Sequence, residues 1–385
     1  MSDSNTAEKK TSDQKTAEQK TAEQKPLDPK NAKLLASRRT PLALLSLAYD
    51  ELSGRLYGAG LDGFLYQVDL ASLGERAEAV EKASEKTAGN AKSSSRSQDQ
   101  KGEKPAAERR WKLHDNYVSF MLLSGSTLAT ASYDRTIAWW DLANGNRIRS
   151  VEAHAGWVRQ MTSIPGGRWL ASVGDDMTAK LWNVESGECD RVFTGHASRT
   201  PQGFATALYA IASSPGGEWL AAADRAGACL IWETMTGRVV SQFAAADFYT
   251  YDVTKRARSI GGVRALRFSP DGRQLAVAGI GQVTNVDGFV GPCRVELWDW
   301  QASRREYVGQ AKHQAIQNAI AFGPENWLIT TGGGDGGGNL AFWKTSDPAP
   351  IHIAKPEGHL HGLAVRSDGR EIYLAGHGGF QVWSV

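Results

Sequence analysis

The stretch "SYDRTIAWWDL" at Ser132–Leu142 decides the fold of this 385-residue chain. A polar turn runs into an apolar run, and two acids, Asp134 and Asp141, flank two tryptophans. One reading makes the acids a catalytic pair. The other makes the stretch one copy of a repeated structural unit, so internal repeats are sought first.

Tryptophans that close short apolar runs recur at Trp140, Trp182, Trp232, Trp298, Trp343 and Trp383, at separations of 42, 50, 66, 45 and 40 residues. The base period is therefore 40–45, with two enlarged steps. Turn-forming clusters keep the same period in "SIPGGRWLAS" (Ser163–Ser172), "SSPGGEWLAA" (Ser213–Ala222), "SPDGRQLAV" (Ser269–Val277), "FGPENWLIT" (Phe322–Thr330) and "RSDGREIYL" (Arg366–Leu374). "LSGSTLATA" (Leu123–Ala131) is a weaker copy. Pro and Gly supply turn geometry between apolar runs, so each cluster predicts a β-hairpin. A histidine precedes the first strand at His114, His154, His196, His313 and His359.

In phase, these markers resemble the WD40-repeat family over about Leu42–Val385, apart from one insertion. "GH" stands at Gly195–His196 and Gly358–His359, and "WD" at Trp140–Asp141 and Trp298–Asp299. "WN" (Trp182–Asn183) and "WE" (Trp232–Glu233) are near variants. "RLYGAGLDGFLYQVDL" (Arg55–Leu70) is a degenerate copy, with Val68 at the Trp position and Asp62 six residues before it. The resemblance implies an all-β fold, a seven-bladed β-propeller occupying residues 31–385. Its last blade would end at its third strand, in "QVWSV". "AKLLASR" (Ala32–Arg38), within a ring-closing segment 31–41, is the expected outer strand and would remove an exposed edge.

The resemblance also assigns the acids. In regular repeats of that family a His, a Ser or Thr, an Asp and the Trp form a hydrogen-bonded chain. The Asp lies six residues before the Trp and the hydroxyl residue ten before. This implies one structural relay of His114, Thr130, Asp134 and Trp140, and a second of His154, Ser172, Asp176 and Trp182. A buried indole N–H needs an acceptor, and a buried hydroxyl and imidazole can pass the bonding on. A catalytic triad needs to occur only once, whereas this set recurs blade by blade at fixed spacing, so no catalytic residues are expected. The resemblance makes Asp141 the closing acid of the repeat, and Trp139 is expected on the opposite face of its strand.

Departures from the unit mark the candidate for function. In blade four Ala222 and Ala226 replace the relay Ser and Asp, and in blade five Ser259 falls where a His is expected. "TTGGGDGGGN" (Thr330–Asn339) lacks the Lys-Ser/Thr of a phosphate loop and reads as a long flexible loop between the second and third strands of blade six. Extra residues also occur at Ala197–Phe204, Ala245–Ile260 and Gly279–Pro292. In a propeller the links between blades and the turns between second and third strands share one face. These extras therefore predict a cluster over blades four to six. Phe248, Tyr249 and Tyr251 with Lys255, Arg256 and Arg258 are the candidate partner-binding residues. Aromatics and Arg anchor interfaces, and loops carry binding on rigid scaffolds.

Composition bounds the rest. The net charge of +2 sits in two low-complexity segments. Residues 1–40 hold nine Lys/Arg against six Asp/Glu, and residues 71–110 hold nine against seven, which leaves the body mildly acidic. That argues against nucleic acid as a partner of the body. The pentapeptide-repeat tail, residues 1–30, and the insertion 71–110 in blade one are too poor in apolar residues to fold, and disorder is expected in both. No apolar run approaches the length of a membrane span, and the first 30 residues contain no apolar signal core. Cys189, Cys229 and Cys293 are far apart, without a CxxC pair, so neither a metal site nor a secreted disulfide framework is expected, and the setting is read as cytoplasmic. His359, His361 and His377 are close in sequence but read as lying at different strand positions, with no metal between them. No cofactor is expected. The reading is a non-catalytic scaffold binding protein or peptide partners, a monomeric body within larger complexes. The alternatives are a propeller enzyme with a site at the central channel mouth, and anionic-surface or RNA binding through the basic tails.

Overall fold

The computed structural model describes residues 27–73, 110–253, 258–283, 291–334 and 336–385. It holds seven four-stranded antiparallel sheets and a separate two-stranded one. Blade one is Leu44–Asp50, Arg55–Gly60, Phe64–Asp69 and Arg110–Lys112; blade two is Val118–Ser124, Thr127–Ser132, Thr136–Asp141 and Arg147–Glu152. Blades three to six follow in chain order, each a meander of four successive strands. Blade seven takes Leu360–Val365, Glu371–Gly376 and Gly379–Ser384 from the end of the chain, and its outer strand, Lys33–Arg38, from the beginning. The chain is thus a seven-bladed β-propeller closed by the pairing of its two ends.

The repeat in the sequence is a repeat of register. Leu128 lies opposite Trp140, Leu170 opposite Trp182, Leu220 opposite Trp232 and Leu275 opposite Trp298. Leu328 pairs with Trp343, Ile372 with Trp383 and, in the degenerate blade, Leu56 with Val68. Alternate residues of each strand point to opposite faces, so each blade has two apolar sides, one for each neighbour. Trp140 packs with Tyr57, Ala59 and Leu65 of blade one, while Trp139 packs with Val158 and Leu170 of blade three. The adjacent tryptophans of the opening stretch therefore join three consecutive blades.

The glycine run of blade six is a hairpin, not the long loop expected from its composition. The strands Leu328–Gly334 and Gly337–Trp343 run through it, with Gly332 opposite Asn339, Gly333 opposite Gly338 and Gly334 opposite Gly337. A Cβ at Gly332 would fall 1.8 Å from the Ile316 carbonyl oxygen, and one at Gly338 2.2 Å from that of Gly358. Glycine here permits close backbone approach.

Two edges of the expected disordered segments are also ordered. Pro29–Asn31 form a 3₁₀ turn capped by the Asp28 side chain. Residues 70–73 are helical, and Leu73 is buried in the cluster that joins blades one and seven. The remainder of both segments, 1–26 and 74–109, lies outside the described residues. The insertion does leave blade one between its third and fourth strands. Among the described residues no helix is long and apolar enough to cross a membrane.

Candidate interaction face

Both relays form. Asp134 accepts from His114 Nδ1 at 2.8 Å, and His114 Nε2 lies 2.7 Å from Thr130 Oγ1. Trp140 Nε1 donates to the same Oγ1 at 2.9 Å. In blade three the corresponding distances are 2.9 Å for Asp176–His154, 2.7 Å for His154–Ser172 and 2.9 Å for Trp182–Ser172. The carboxylate bonds the imidazole directly. Nδ1 therefore donates to the carboxylate, and the hydroxyl bridges Nε2 and the indole N–H. Burial alone would raise the pKa of both acids, but the His hydrogen bonds, aided by Thr136 and Thr178, bring them well below the usual carboxylate range. These groups are mutually satisfied and hold each blade together.

The remaining blades satisfy their indoles differently. Trp232 donates to the Thr194 carbonyl at 3.2 Å, while the His196 ring makes no side-chain hydrogen bond with a described residue and has only the Ala222 main chain close to it. Trp298 donates to Glu296 at 2.9 Å, and this fully buried carboxylate is held by Arg294 at 2.6 Å and Arg305 at 3.1 Å. Trp343 donates to Thr330 at 2.9 Å and Trp383 to Gln381 at 3.4 Å. His313 takes no part: it lies within the outer strand of blade five, Arg304–Gln314, beside Cys293.

The inserted segments do meet on one face. Tyr249–Asp252 and Arg258–Gly261 pair as a β-hairpin in the link from blade four to blade five. The Tyr249 hydroxyl donates to Thr200 at 3.1 Å, and the Tyr251 ring packs on Phe204 at 5.7 Å, both partners in the link before blade four. The Val283 N–H, in the second-to-third-strand turn of blade five, donates to Thr250 at 2.8 Å. Tyr249 and Tyr251 are half-buried. Phe248 is not a surface anchor: it is 1% exposed and packs in the core with Ala245, Val263 and Val277. Its apolar ring pins the hairpin to the body. Lys255 and Arg256 lie outside the described residues, and Arg258 occupies a strand position opposite Asp252. The blade-six glycine hairpin sits apart from this group, against the His359–Gly358 link of blade seven.

The same face carries a second group that the sequence reading did not single out. Tyr133 stacks on Trp157 with ring centroids 4.3 Å apart, and Tyr117 lies 5.7 Å from Tyr133. Trp157 is 44% and Tyr117 42% exposed. The Arg159 guanidinium lies 4.8 Å from the Trp157 ring and 4.6 Å from Tyr209. It grips Asp175 with two bonds of 2.6 and 3.0 Å and donates to the Tyr133 hydroxyl at 3.1 Å. Burial raises the Tyr133 pKa, so its hydroxyl stays protonated. The signal was available. Tyr117 and Trp157 immediately precede first strands, and Tyr133 follows a second strand, positions that all project to this face.

The three histidines of blade seven also come together, contrary to their sequence reading. His359, His361 and His377 stack with ring centroids 4.9, 5.4 and 5.7 Å apart, because the link before the first strand and the turn after the second share a face. Asn318 Nδ2 lies 2.7 Å from His359 Nε2. Burial lowers His359 to about 4 and His361 to about 3, so these two rings are neutral at pH 7. Among the described residues no group of three or more His, Cys, Asp or Glu is arranged to hold a metal ion.

The family model described as "WD domain, G-beta repeat" matches residues 145–183 and 187–233. Each match spans the outer strand of one blade and the first three strands of the next, the same phase as the pairing that closes the ring. The nuclear distribution protein PAC1 of Coccidioides posadasii is 42% identical over 74 residues, 19% of this chain and 16% of that protein. PAC1-2 of Uncinocarpus reesii is 40% identical over 81 residues, 20% of this chain and 18% of its own length. The nuclear distribution protein nudF 2 of Penicillium rubens is 37% identical over 97 residues, 24% of this chain and 20% of that protein. The chain therefore spans a fifth or less of the length of these curated relatives.

Proposed function

Because this chain is a seven-bladed β-propeller built of WD40 repeats, we propose that it is a non-catalytic platform for protein or peptide partners, binding through the face that carries the inserted segments over blades four to six. One observation carries this reading. The Tyr249–Gly261 hairpin stands outside the seven blade sheets, yet it is fixed to the body by Phe248 and to the neighbouring links through Thr200 and Phe204. A preformed, aromatic-bearing hairpin binds with little ordering cost on its own side. Tyr251 and Phe204 supply half-exposed rings, and Arg256, which follows Tyr251 by five residues in the sequence, adds an interface-favoured charge. The stretch shared with the nuclear distribution proteins is about two repeats, which supports a shared scaffold rather than a shared partner. Three free cysteines, two of them buried, suit the reducing, cytoplasmic setting we propose.

The test is a crosslinking pull-down with the full-length protein beside the Tyr251→Ala/Arg256→Ala variant. The variant should fold normally and lose the partners that the parent recovers. Equal recovery by both proteins removes the hairpin from the binding site.

A further inference from the structure

We propose that the central channel binds a small polyanion, a molecule carrying two or more phosphate or carboxylate groups along its length. The channel encloses a cavity of about 390 Å³ walled by the first strands of all seven blades. That is within the size range of small-ligand pockets. Among the described residues its wall carries three arginines, Arg159, Arg264 and Arg267, and neither Asp nor Glu. The positive charge is thus built into the wall of a protein whose body is otherwise mildly acidic.

The three guanidiniums are held differently. Arg159 is anchored by Asp175, a residue outside the channel lining. Arg264 lies 4.8 Å from the Tyr209 ring and donates to the Gly261 and Val263 carbonyls at 3.0 and 2.8 Å, contacts that fix its guanidinium in the channel wall. Arg267 makes no hydrogen bond or ion pair with a described residue. Its side chain reaches channel water, but the enclosing walls lower its pKa. Burial likewise lowers Arg264, to about 10, and repulsion from Arg159 and Arg225 adds to the effect. Confined like charges destabilise one another, and an anion between them reverses the sign of that interaction.

The spacing favours an elongated ligand. Arg264 and Arg267 are three residues apart on the strand Val263–Phe268, about 10 Å at the usual strand rise. Neutral donors line the path between blades. Gln160 engages the Ile211 N–H with its oxygen at 2.7 Å, which leaves its amide N–H groups for a ligand. Arginine in such a wall recognises either oxyanion by charge-assisted hydrogen bonds.

The inference is separable from the proposed partner site and is tested by calorimetric titration of the full-length protein at about 0.15 M salt, where surface charges are largely screened. Tripolyphosphate and citrate serve as the phosphate and carboxylate probes. Saturable one-site binding of at least one probe is expected. Arg267→Gln and Arg264→Gln should each weaken it about tenfold or more, while Arg267→Lys keeps it within a few-fold. Arg304→Gln on the outer rim and the Tyr251→Ala/Arg256→Ala hairpin variant should leave it unchanged. Arg267→Gln removes a charge that its surroundings disfavour, so its probe-free melting temperature should equal or exceed that of the parent. Failure of both probes to bind saturably overturns the proposal. So does parental affinity in both glutamine variants, or in Arg264→Gln alone should Arg267→Gln not fold.

Discussion

Leu34 lies opposite Trp383 in the ladder that joins the first described strand of the chain to the last. Lys33 faces Ser384 and Arg38 faces Phe380 in the same ladder, so the ring closes by main-chain pairing of residues from opposite ends of the sequence. Without Lys33–Arg38 the strand Gly379–Ser384 becomes a bare sheet edge, and the Phe380 cluster loses its support. Deleting residues 1–38 should therefore cost roughly 3–5 kcal/mol, on the scale of several lost backbone hydrogen bonds. Deleting 1–26 should cost little. Thermal unfolding of the two truncations decides it, and equal melting temperatures would refute the closing role.

Acid should destabilise the propeller in two stages. His196 is held neutral by burial, with its pKa lowered from 6.5 to about 4. The unfolded chain then binds a proton that the folded one refuses, so stability falls as pH drops from 6.5 to 4, by on the order of 2 kcal/mol for this residue. Asp134 and Asp176 have the opposite shift, below 3.8. Their stabilisation is fully present above the ordinary carboxylate range and is lost as pH falls through and below it. Chemical denaturation across pH 2–8 should show both stages. His359 and His361, lowered by burial, add to the upper stage and Asp224, raised to about 6, opposes it. The His196→Asn variant should therefore show a shallower upper stage, and a slope there equal to that of the parent would contradict the assignment.

The scaffold was legible because its cause is periodic. A Trp facing an aliphatic residue, a Pro/Gly turn and a strand-end acid recur every 40–45 residues, and any one copy could be checked against the rest. The ends of the chain followed from the count, since a blade with three strands needs a fourth. What escaped was non-periodic. Glu296 stands two residues before Trp298, not ten, and its alternation with Arg294 in "PCRVELWD" was the available sign of a buried ion cluster. Gln381 has the same offset from Trp383. Phe248 reads as a loop aromatic, and only the packing shows that it faces inward. The channel arginines lie one to a strand, or three residues apart on one strand. Their convergence depends on ring geometry that no local window contains.

Blade four offers a test of how a relay decays. Asp224 accepts from the Ala226 and Ala228 N–H groups at 2.9 and 3.0 Å, and so caps the turn that Asp134 caps in blade two through Thr136. It sits two residues earlier than a relay acid and does not reach His196. Burial raises its pKa to about 6 despite those bonds. A second acid at Ala226 would add a like charge beside it, so the productive change is Ala222→Ser, which adds one oxygen at the Ser172 position. The new hydroxyl should accept a hydrogen bond from His196 Nε2–H, stabilise the fold by about 1 kcal/mol and raise the His196 pKa from about 4 toward its ordinary value, because an acceptor favours the protonated ring. Proton NMR titration of His196 reads the shift. An unmoved pKa would show that the imidazole is not aimed at that position.

Phe248 and Tyr251 are three residues apart in the hairpin link, yet the structure gives them opposite roles. Phe248 is enclosed by Ala223, Val263, Val277 and Trp298 of blades four and five, whereas Tyr251 is half-buried and rests on Phe204. Phe248→Ala should cost about 3–5 kcal/mol, as for other large-to-small changes in a packed core. Tyr251→Ala should cost less than about 1 kcal/mol, as at a partly exposed site. Denaturant titration of both variants, with partner capture measured on the stable one, separates anchoring the hairpin from presenting it. Comparable destabilisation by the two substitutions would mean that the hairpin is a buried strut, and the binding face would then have to be sought at Tyr117, Tyr133 and Trp157.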